Sequence, residues 1–253
     1  MHVESVVLRA RALTQILGYA IEVYKKECAG VLMGDAFKSA KKVVVNSAIA
    51  LQTAKRGYTR VDPNWNRFKR VEEVLSFLSL DWILGEFHSH TDSGGEKPSF
   101  RLSPDDRDYI RESYYQGEVE LVVVLSKKKR KSEWKYTNND CVLKGTLGDY
   151  NIELGAHFKA DEEDGGTLSE IWCPIVEVAA LAYELDLSPA PGYIFDYIPP
   201  EFHAARYRKL TRLIRKYEDL VITKMDLESG EELLYGSIQP LMKEIGALSD
   251  IYG

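Results

Sequence analysis

Two stretches in the N-terminal half of the chain carry apolar residues at spacings of three and four, with polar residues between them. Residues 10–26 and 67–80 each place these apolar residues on one stripe, which predicts two amphipathic helices. Short apolar runs bounded by glycines and polar turns predict strands. These runs lie at residues 3–8, 30–34, 42–47 and 82–88. The second helix therefore leads the chain into the last of these strands.

The pattern beyond residue 100 predicts one more helix and a hairpin. Ser103 opens a helix that runs toward residue 115, and the stretches 118–126 and 132–137 predict two paired strands. The basic run 127–131 falls at the turn between them, and we interpret it as a solvated tip.

The acidic, glycine-bearing residues 160–166 predict a linker. We therefore expect one domain over residues 1–160 and a mainly helical C-terminal extension over residues 161–253. The strongest helix of that extension is predicted over residues 201–225, where one face is apolar and the other is basic.

Composition excludes several classes of protein. The 253 residues are 45% hydrophobic, with a formal net charge of -6 and a pI near 5.5, which argues against bulk binding to nucleic acid or to anionic membranes. Three scattered cysteines are too few for a disulfide framework and point to a reducing compartment. No apolar run is long enough to span a bilayer, and the first residues lack the pattern of a signal peptide. We expect a soluble cytoplasmic protein.

The candidate chemistry centres on His88, His90 and Asp106. In a strand, side chains two residues apart project to the same face, so His88 and His90 can reach one ion. A catalytic zinc takes three protein ligands, of which two histidines and a carboxylate are a common set, and keeps a fourth position for water. Asp106 is the natural third ligand. The same donors also accept iron, cobalt or manganese.

A simpler interpretation exists for part of this pattern. Ser103, Pro104 and Asp106 are typical of a helix opening, with serine at the N-cap, proline at the first helical position and an acid near the positive end of the helix dipole. Taken alone, they predict only that a helix begins there. Because Ser103 and Asp106 are three residues apart, they share one helix face, which a returning loop could set over the two imidazoles.

Two segments of the chain resemble the JAMM (MPN+) metalloprotease family. Residues 27–34 resemble the E-x-x-G-x-L-x-G strand entry of that family, and His88 and His90 with Ser103 and Asp106 resemble its His-x-His and Ser-x-x-Asp signature. The similarity covers about residues 3–155.

The resemblance implies a zinc hydrolase of amide or isopeptide bonds with an α/β fold, a cytidine-deaminase-like α/β/α core with a mixed central sheet. It implies that His88, His90 and Asp106 hold zinc. Glu27 would be the general base and acid, and Ser103 would donate its hydroxyl to the developing oxyanion. Glu86, on the same strand face as His88, is a rival base.

The loop after the histidines departs from the family pattern. Thr91 stands where proline is common, and twelve residues, 91–102, precede Ser103 where about seven are usual. We interpret the longer loop as either a mobile lid or a block over the site. Asp92 within it could compete as a ligand.

Members of the family cleave ubiquitin from conjugates, process ubiquitin-like or sulfur-carrier proteins at their tails, or serve as scaffolds. We favour a stand-alone peptidase that captures the extended tail of a ubiquitin-like or sulfur-carrier protein beside an exposed strand. The alternative is a protein-interaction scaffold with an occluded metal site. A third, weaker hypothesis is that the basic helix face over residues 206–216 binds nucleic acid. Homodimerisation through the C-terminal helices is a further open expectation.

Overall fold

The structure, a computed structural model, describes most of the first 176 residues and few beyond them. The described ranges are 3–37, 41–78, 82–92, 97–113, 118–127, 130, 132–161, 165–176 and the positions 212, 216 and 219. The chain divides into two compact units, Met1–Cys173 and Pro174–Gly253. The helix predicted over residues 201–225 and its basic face lie almost entirely outside the described residues. The expected domain boundary after residue 160 stays a prediction.

The described part of the chain contains eleven strands and three helices. The strands are β1 (Ser5–Leu8), β2 (Ala29–Phe37), β3 (Lys42–Ala50), β4 (Lys55–Arg56), β5 (Val61–Asp62), β6 (Trp82–Thr91), β7 (Val119–Lys127), β8 (Lys135–Thr137), β9 (Val142–Leu147), β10 (Tyr150–Phe158) and β11 (Thr167–Trp172). The helices are α1 (Ala10–Glu22), α2 (Trp65–Leu78) and α3 (Pro104–Ser113). The three helices and four strands that the apolar pattern predicts before residue 115 are confirmed.

Seven strands close into a ring because β10 divides one of its edges between two neighbours. Residues 150–155 pair with β9, whereas residues 156–158 pair with β11. Since β11 also pairs with β1, the strands β11, β1, β3, β2, β6, β7 and β10 form a closed circuit. β9 and β8 continue the sheet from the other half of β10.

The predicted fold class, a cytidine-deaminase-like α/β/α JAMM core with a helical extension, is wrong. The described residues form a closed seven-strand ring with few helices, not an open sheet between two helical layers. The closing strand β11 lies in the stretch that we expected to begin a helical extension. The predicted hairpin is also wrong, because β7 pairs with β6 and β10 while β8 pairs with β9.

The two faces of the curved sheet carry different helices. α1 packs against β3 and β7, which are separated in the sheet by β2 and β6, so α1 lies in the hollow of the curve. There the ring of Tyr19 stacks on Phe87 of β6, with centroids 6.5 Å apart. We call this side the inner face.

The opposite, outer face is covered by the other two helices. Phe68 of α2 packs in one cluster with Met33 of β2. Ile110 of α3 and Leu102 just before it pack on Val122 of β7. Because Val122 pairs with His88 in the parallel register of β6 and β7, this second cluster seats the start of α3 beside the histidine strand.

Candidate metal centre

Strand β6 sorts its side chains between the two faces. Phe87 and Ser89 point inward and have no exposed surface, and the alternation of the strand then sends His88 and His90 to the outer face. The strand also depends on Gly85, whose φ is +146° and whose added Cβ would lie 1.9 Å from the carbonyl oxygen of Val119. Only glycine fits there. The strand that carries the two histidines therefore requires glycine at position 85.

The first turn of α3 presents the third candidate ligand. The backbone N–H of Ser103 donates to Oδ2 of Asp106 at 2.8 Å, and the N–H of Asp106 donates to Oγ of Ser103 at 3.1 Å. The helix opening predicted from sequence is therefore present as a reciprocal cap. It holds the Asp106 carboxylate at the end of the helix that faces the histidines.

His88, His90 and Asp106 come together, although the last is sixteen residues from the nearer histidine. One ligand atom from each lies within 4.8 Å of the other two. The two Nε2 atoms are 3.0 Å apart, and Oδ2 of Asp106 lies 3.7 Å from Nε2 of His88 and 3.6 Å from Nε2 of His90. This group could hold a metal ion.

The hydrogen bonds of the two Nδ1 atoms show whether His88 and His90 are oriented to bind a metal through Nε2. Nδ1 of His88 contacts the carboxylate of Glu120, and Nδ1 of His90 lies 2.7 Å from the carbonyl oxygen of Ser99. Both partners can only accept, so both Nδ1 atoms must donate. In the neutral rings this leaves each Nε2 with its lone pair directed at the shared space, which is the arrangement that metal-binding histidines use.

Sequence reasoning missed Glu120. The signal that could have found it is an acid at position 120 inside the otherwise apolar run from Val119 to Leu125. Its partner could not be inferred from sequence, because contact with His88 depends on β7 lying beside β6.

The charges of the group are coupled. Burial lowers the pKa of His88, but the carboxylates of Glu120, Asp106 and Glu27 together raise it, so that the pKa is about 9. Burial raises the pKa of Asp106, but its contacts with His90, His88 and Ser103 hold the pKa well below the ordinary value. Without a metal, the group is therefore a carboxylate beside a proton-holding imidazole, and a divalent cation would take the place of that proton.

Glu27 lies at the same centre. Its side chain is buried at 7% exposure, and its backbone N–H donates to the carbonyl oxygen of Gly57 at 2.9 Å. The next residue, Cys28, is tied to β6 by two 2.9 Å hydrogen bonds with Ser89. Burial raises the pKa of Glu27 to about 7, while the nearby His90 and His88 partly oppose the shift. A carboxyl with this pKa can both take and return a proton near neutral pH.

The rival base Glu86 has a different partner. It shares the outer face of β6 with His88, and its Oε1 accepts a hydrogen bond from the hydroxyl of Tyr109 at 3.4 Å. Burial first, and then the charges of Glu86 and Glu120, raise the pKa of Tyr109 above its ordinary value. Of the two acids, Glu27 is buried and Glu86 is only partly buried.

Asp92 is not a member of the group. Its Oδ1 accepts from the hydroxyl of Tyr24 at 2.6 Å and its Oδ2 accepts from the backbone N–H of Lys127 at 3.1 Å. These bonds fix one end of the loop over residues 91–102, and the carbonyl of Ser99 on His90 fixes the other. Residues 93–96 lie outside the described residues, so the expectations of a lid or a block stay predictions.

Comparison with known proteins leaves the family open. No protein-family model and no curated protein matches the chain. Among solved structures, the chain is similar to the solution structure of protein DSY2949 from Desulfitobacterium hafniense, with 15% identity and a TM-score of 0.43, over 66% of this chain and 92% of that chain. A likeness at this level supports no statement about function. No helix in the described part of the chain has both the length and the apolar character needed to cross a membrane.

Proposed function

We propose that this protein is a zinc-dependent hydrolase of peptide or isopeptide bonds, of the JAMM type that its sequence motifs resemble. The observation that carries the proposal is the convergence of the Nε2 atoms of His88 and His90 on Oδ2 of Asp106, next to the buried Glu27. Three ligands and one adjacent carboxyl are the parts that a catalytic zinc site needs.

Zinc held by these three ligands would supply Lewis acidity and make water nucleophilic at neutral pH. Glu27 would take the proton of the attacking water as the new C–O bond forms. It would return that proton to the amide nitrogen as the C–N bond breaks. Burial suits Glu27 to this exchange, since it raises the pKa of the carboxyl to about 7.

Ser103 is proposed as the hydroxyl that donates to the developing oxyanion. Its Oγ already accepts from the N–H of Asp106 at 3.1 Å, which leaves its own proton available to donate. One well-placed donor of this kind contributes on the order of 3 kcal/mol to the transition state.

The proposed substrate is the extended C-terminal tail of ubiquitin or of a ubiquitin-like or sulfur-carrier protein. The support is the resemblance to a family with such substrates, together with access to the site. The side chains of His88, His90 and Asp106 keep 12%, 17% and 27% of their surface exposed, so none of the three is closed off from solvent.

The test combines elemental analysis with cleavage of ubiquitin-like proteins fused at their C-terminus to a reporter. The purified parent protein should carry zinc and release the reporter. Glu27→Gln should keep zinc and lose cleavage, and His88→Ala should lose both. Glu153→Gln is a matched control, because Glu153 is an acid on β10 that pairs with Lys144 at 3.2 Å.

A protein that takes up no metal at neutral pH, or one whose cleavage survives Glu27→Gln, would overturn the proposal. A protein that binds a ubiquitin-like partner tightly without cleaving it, in the presence of zinc, would favour the scaffold alternative.

A further inference from the structure

A buried acid contacts one of the candidate ligands from behind. Glu120 is the second residue of β7, between Val119 and Leu121, and is only 4% exposed. Burying an ionised carboxylate costs several kcal/mol unless it is paired. The partner here is Nδ1 of His88. The contact with His88, a candidate metal ligand, therefore offsets part of the cost of burying Glu120.

We infer that Glu120 is a positioning residue, which holds the His88 ring in the tautomer and orientation that direct Nε2 at a bound metal ion. The inference rests on the metal-binding part of the proposed function and not on amide hydrolysis. The carboxylate can only accept, so the proton of His88 must sit on Nδ1. Nε2 is then the basic nitrogen, and it lies 3.7 Å from Oδ2 of Asp106.

The neighbouring acid does not offer the same contact. In the register of β6 and β7, Glu86 lies opposite Glu120, while His88 lies opposite Val122. Glu86 accepts a hydrogen bond from the Tyr109 hydroxyl, and Glu120 reaches diagonally to His88. His88 therefore hydrogen-bonds to Glu120, whereas Glu86 hydrogen-bonds to Tyr109.

The neighbouring histidine is also engaged differently. His157 of β10 lies opposite Glu120 in the antiparallel register. Its Nε2 lies 3.0 Å from the carbonyl oxygen of Phe100, and its Nδ1 is buried with no hydrogen-bond partner in the described part of the chain. Of the two histidines beside Glu120, His88 is the one whose ring the carboxylate orients.

The two metal-binding histidines are held by different kinds of group. His90 is oriented by the backbone carbonyl of Ser99, which no side-chain substitution removes. His88 is oriented by a side chain, so its support can be deleted while every ligand remains. This asymmetry makes the inference testable.

The experiment measures zinc affinity by competition with a chromophoric chelator in the parent, Glu120→Ala, Glu120→Gln and the control Glu153→Gln. Glu120→Ala should bind zinc about 10–100-fold more weakly, as is typical when the group that orients a ligand is lost. Glu120→Gln should lose less, because its amide oxygen still accepts from Nδ1. Glu153→Gln should bind zinc as the parent does.

A second readout follows the His88 ring itself. Long-range 1H–15N spectra of the zinc-loaded parent should show His88 protonated at Nδ1, with the ring assigned through its bonds to the His88 backbone. This measurement needs no Glu120 variant, so it can overturn the inference even if Glu120→Ala does not fold.

A parent spectrum in which His88 carries its proton on Nε2 would overturn the inference. Parent-like zinc affinity in both Glu120 variants, or an equal loss in Glu153→Gln, would do the same. Neither readout involves cleavage. A zinc protein that passes both and cleaves no amide would uphold the role of Glu120 and defeat the proposed hydrolase.

Discussion

Ser103 and Asp106 cap the helix α3 by exchanging hydrogen bonds, 2.8 Å from the N–H of Ser103 to Oδ2 of Asp106 and 3.1 Å from the N–H of Asp106 to Oγ of Ser103. The same Oδ2 faces both histidine Nε2 atoms, at 3.6 and 3.7 Å. One oxygen therefore belongs to the helix cap and to the metal group. A change that weakens the helix cap should therefore also displace the Asp106 carboxylate from the two histidines.

Ser103→Ala removes one of these two hydrogen bonds and keeps the one from the backbone N–H of residue 103 to Oδ2 of Asp106. Loss of the cap acceptor should reduce the free energy of unfolding by about 1 kcal/mol and should also weaken zinc binding, because the Asp106 backbone loses its partner. Chemical denaturation of the metal-free protein and chelator competition measure the two effects. Ser103→Thr keeps a capping hydroxyl and should restore both. Weak zinc binding by Ser103→Thr would contradict the shared role of the cap.

Asp92 and Asp106 form a matched pair of acids for a second prediction. Asp92→Asn should leave zinc affinity at the parent value, because the Asp92 carboxylate is held by Tyr24 and by the N–H of Lys127. Asp106→Asn should weaken zinc binding strongly, since it removes a charged ligand. Elemental analysis after dialysis against a chelator measures both variants. Equal losses would mean that Asp92 is a fourth ligand.

The local part of the site could be predicted from sequence, because it depends on spacing along the chain. His88 and His90 share a strand face and Ser103 and Asp106 share a helix face wherever those elements lie. The contact of Glu120 with His88 could not be predicted, because it depends on the register of β7 beside β6.

The closure of the sheet could not be predicted either, because it depends on pairing between strands that are far apart in the sequence. β10 pairs with β9 over residues 150–155 and with β11 over residues 156–158, and the apolar pattern of a strand does not specify which neighbour it takes. The ring closes only because β11 also lies parallel to β1. An expectation of layered helices followed from resemblance alone, and strand pairing overturned it.

Gly85 and Gly18 allow a third prediction with an internal control. Gly85→Ala should cost more than ~2 kcal/mol of unfolding free energy, because Gly85 has φ +146° and no space for a Cβ near Val119. Gly18 lies inside α1 with nothing within 4 Å of an added Cβ. Gly18→Ala should therefore stabilise the protein by about 0.5–1 kcal/mol.

Denaturant titrations of the two alanine variants, both metal-free, check the opposite signs. A neutral Gly85→Ala would mean that the start of β6 relaxes to a different backbone. In that case zinc affinity should be measured on the same sample, since His88 follows Gly85 by three residues.

The pH dependence of stability should report the buried carboxyl of Glu27. Burial raises its pKa from 4.5 to about 7 in the folded protein. At a pH below 4.5, the pKa of Glu27 in the unfolded state, both states hold the proton and Glu27 does not lower the free energy of unfolding. As the pH rises through 4.5 toward 7, the unfolded state releases the proton first, so the folded state loses relative stability. Above about 7 both states are ionised and the loss is complete.

Glu27→Gln removes this ionisation while it keeps the size of the side chain. Its unfolding free energy relative to the parent, with both proteins metal-free, should therefore rise between pH 4.5 and 7 and then level off, by about 3 kcal/mol at most. Denaturant titrations across this range measure the difference, from which groups common to both proteins largely cancel. A difference that does not change with pH would show that Glu27 titrates as an ordinary solvated acid. That result would argue against Glu27 as the residue that exchanges protons at the metal centre.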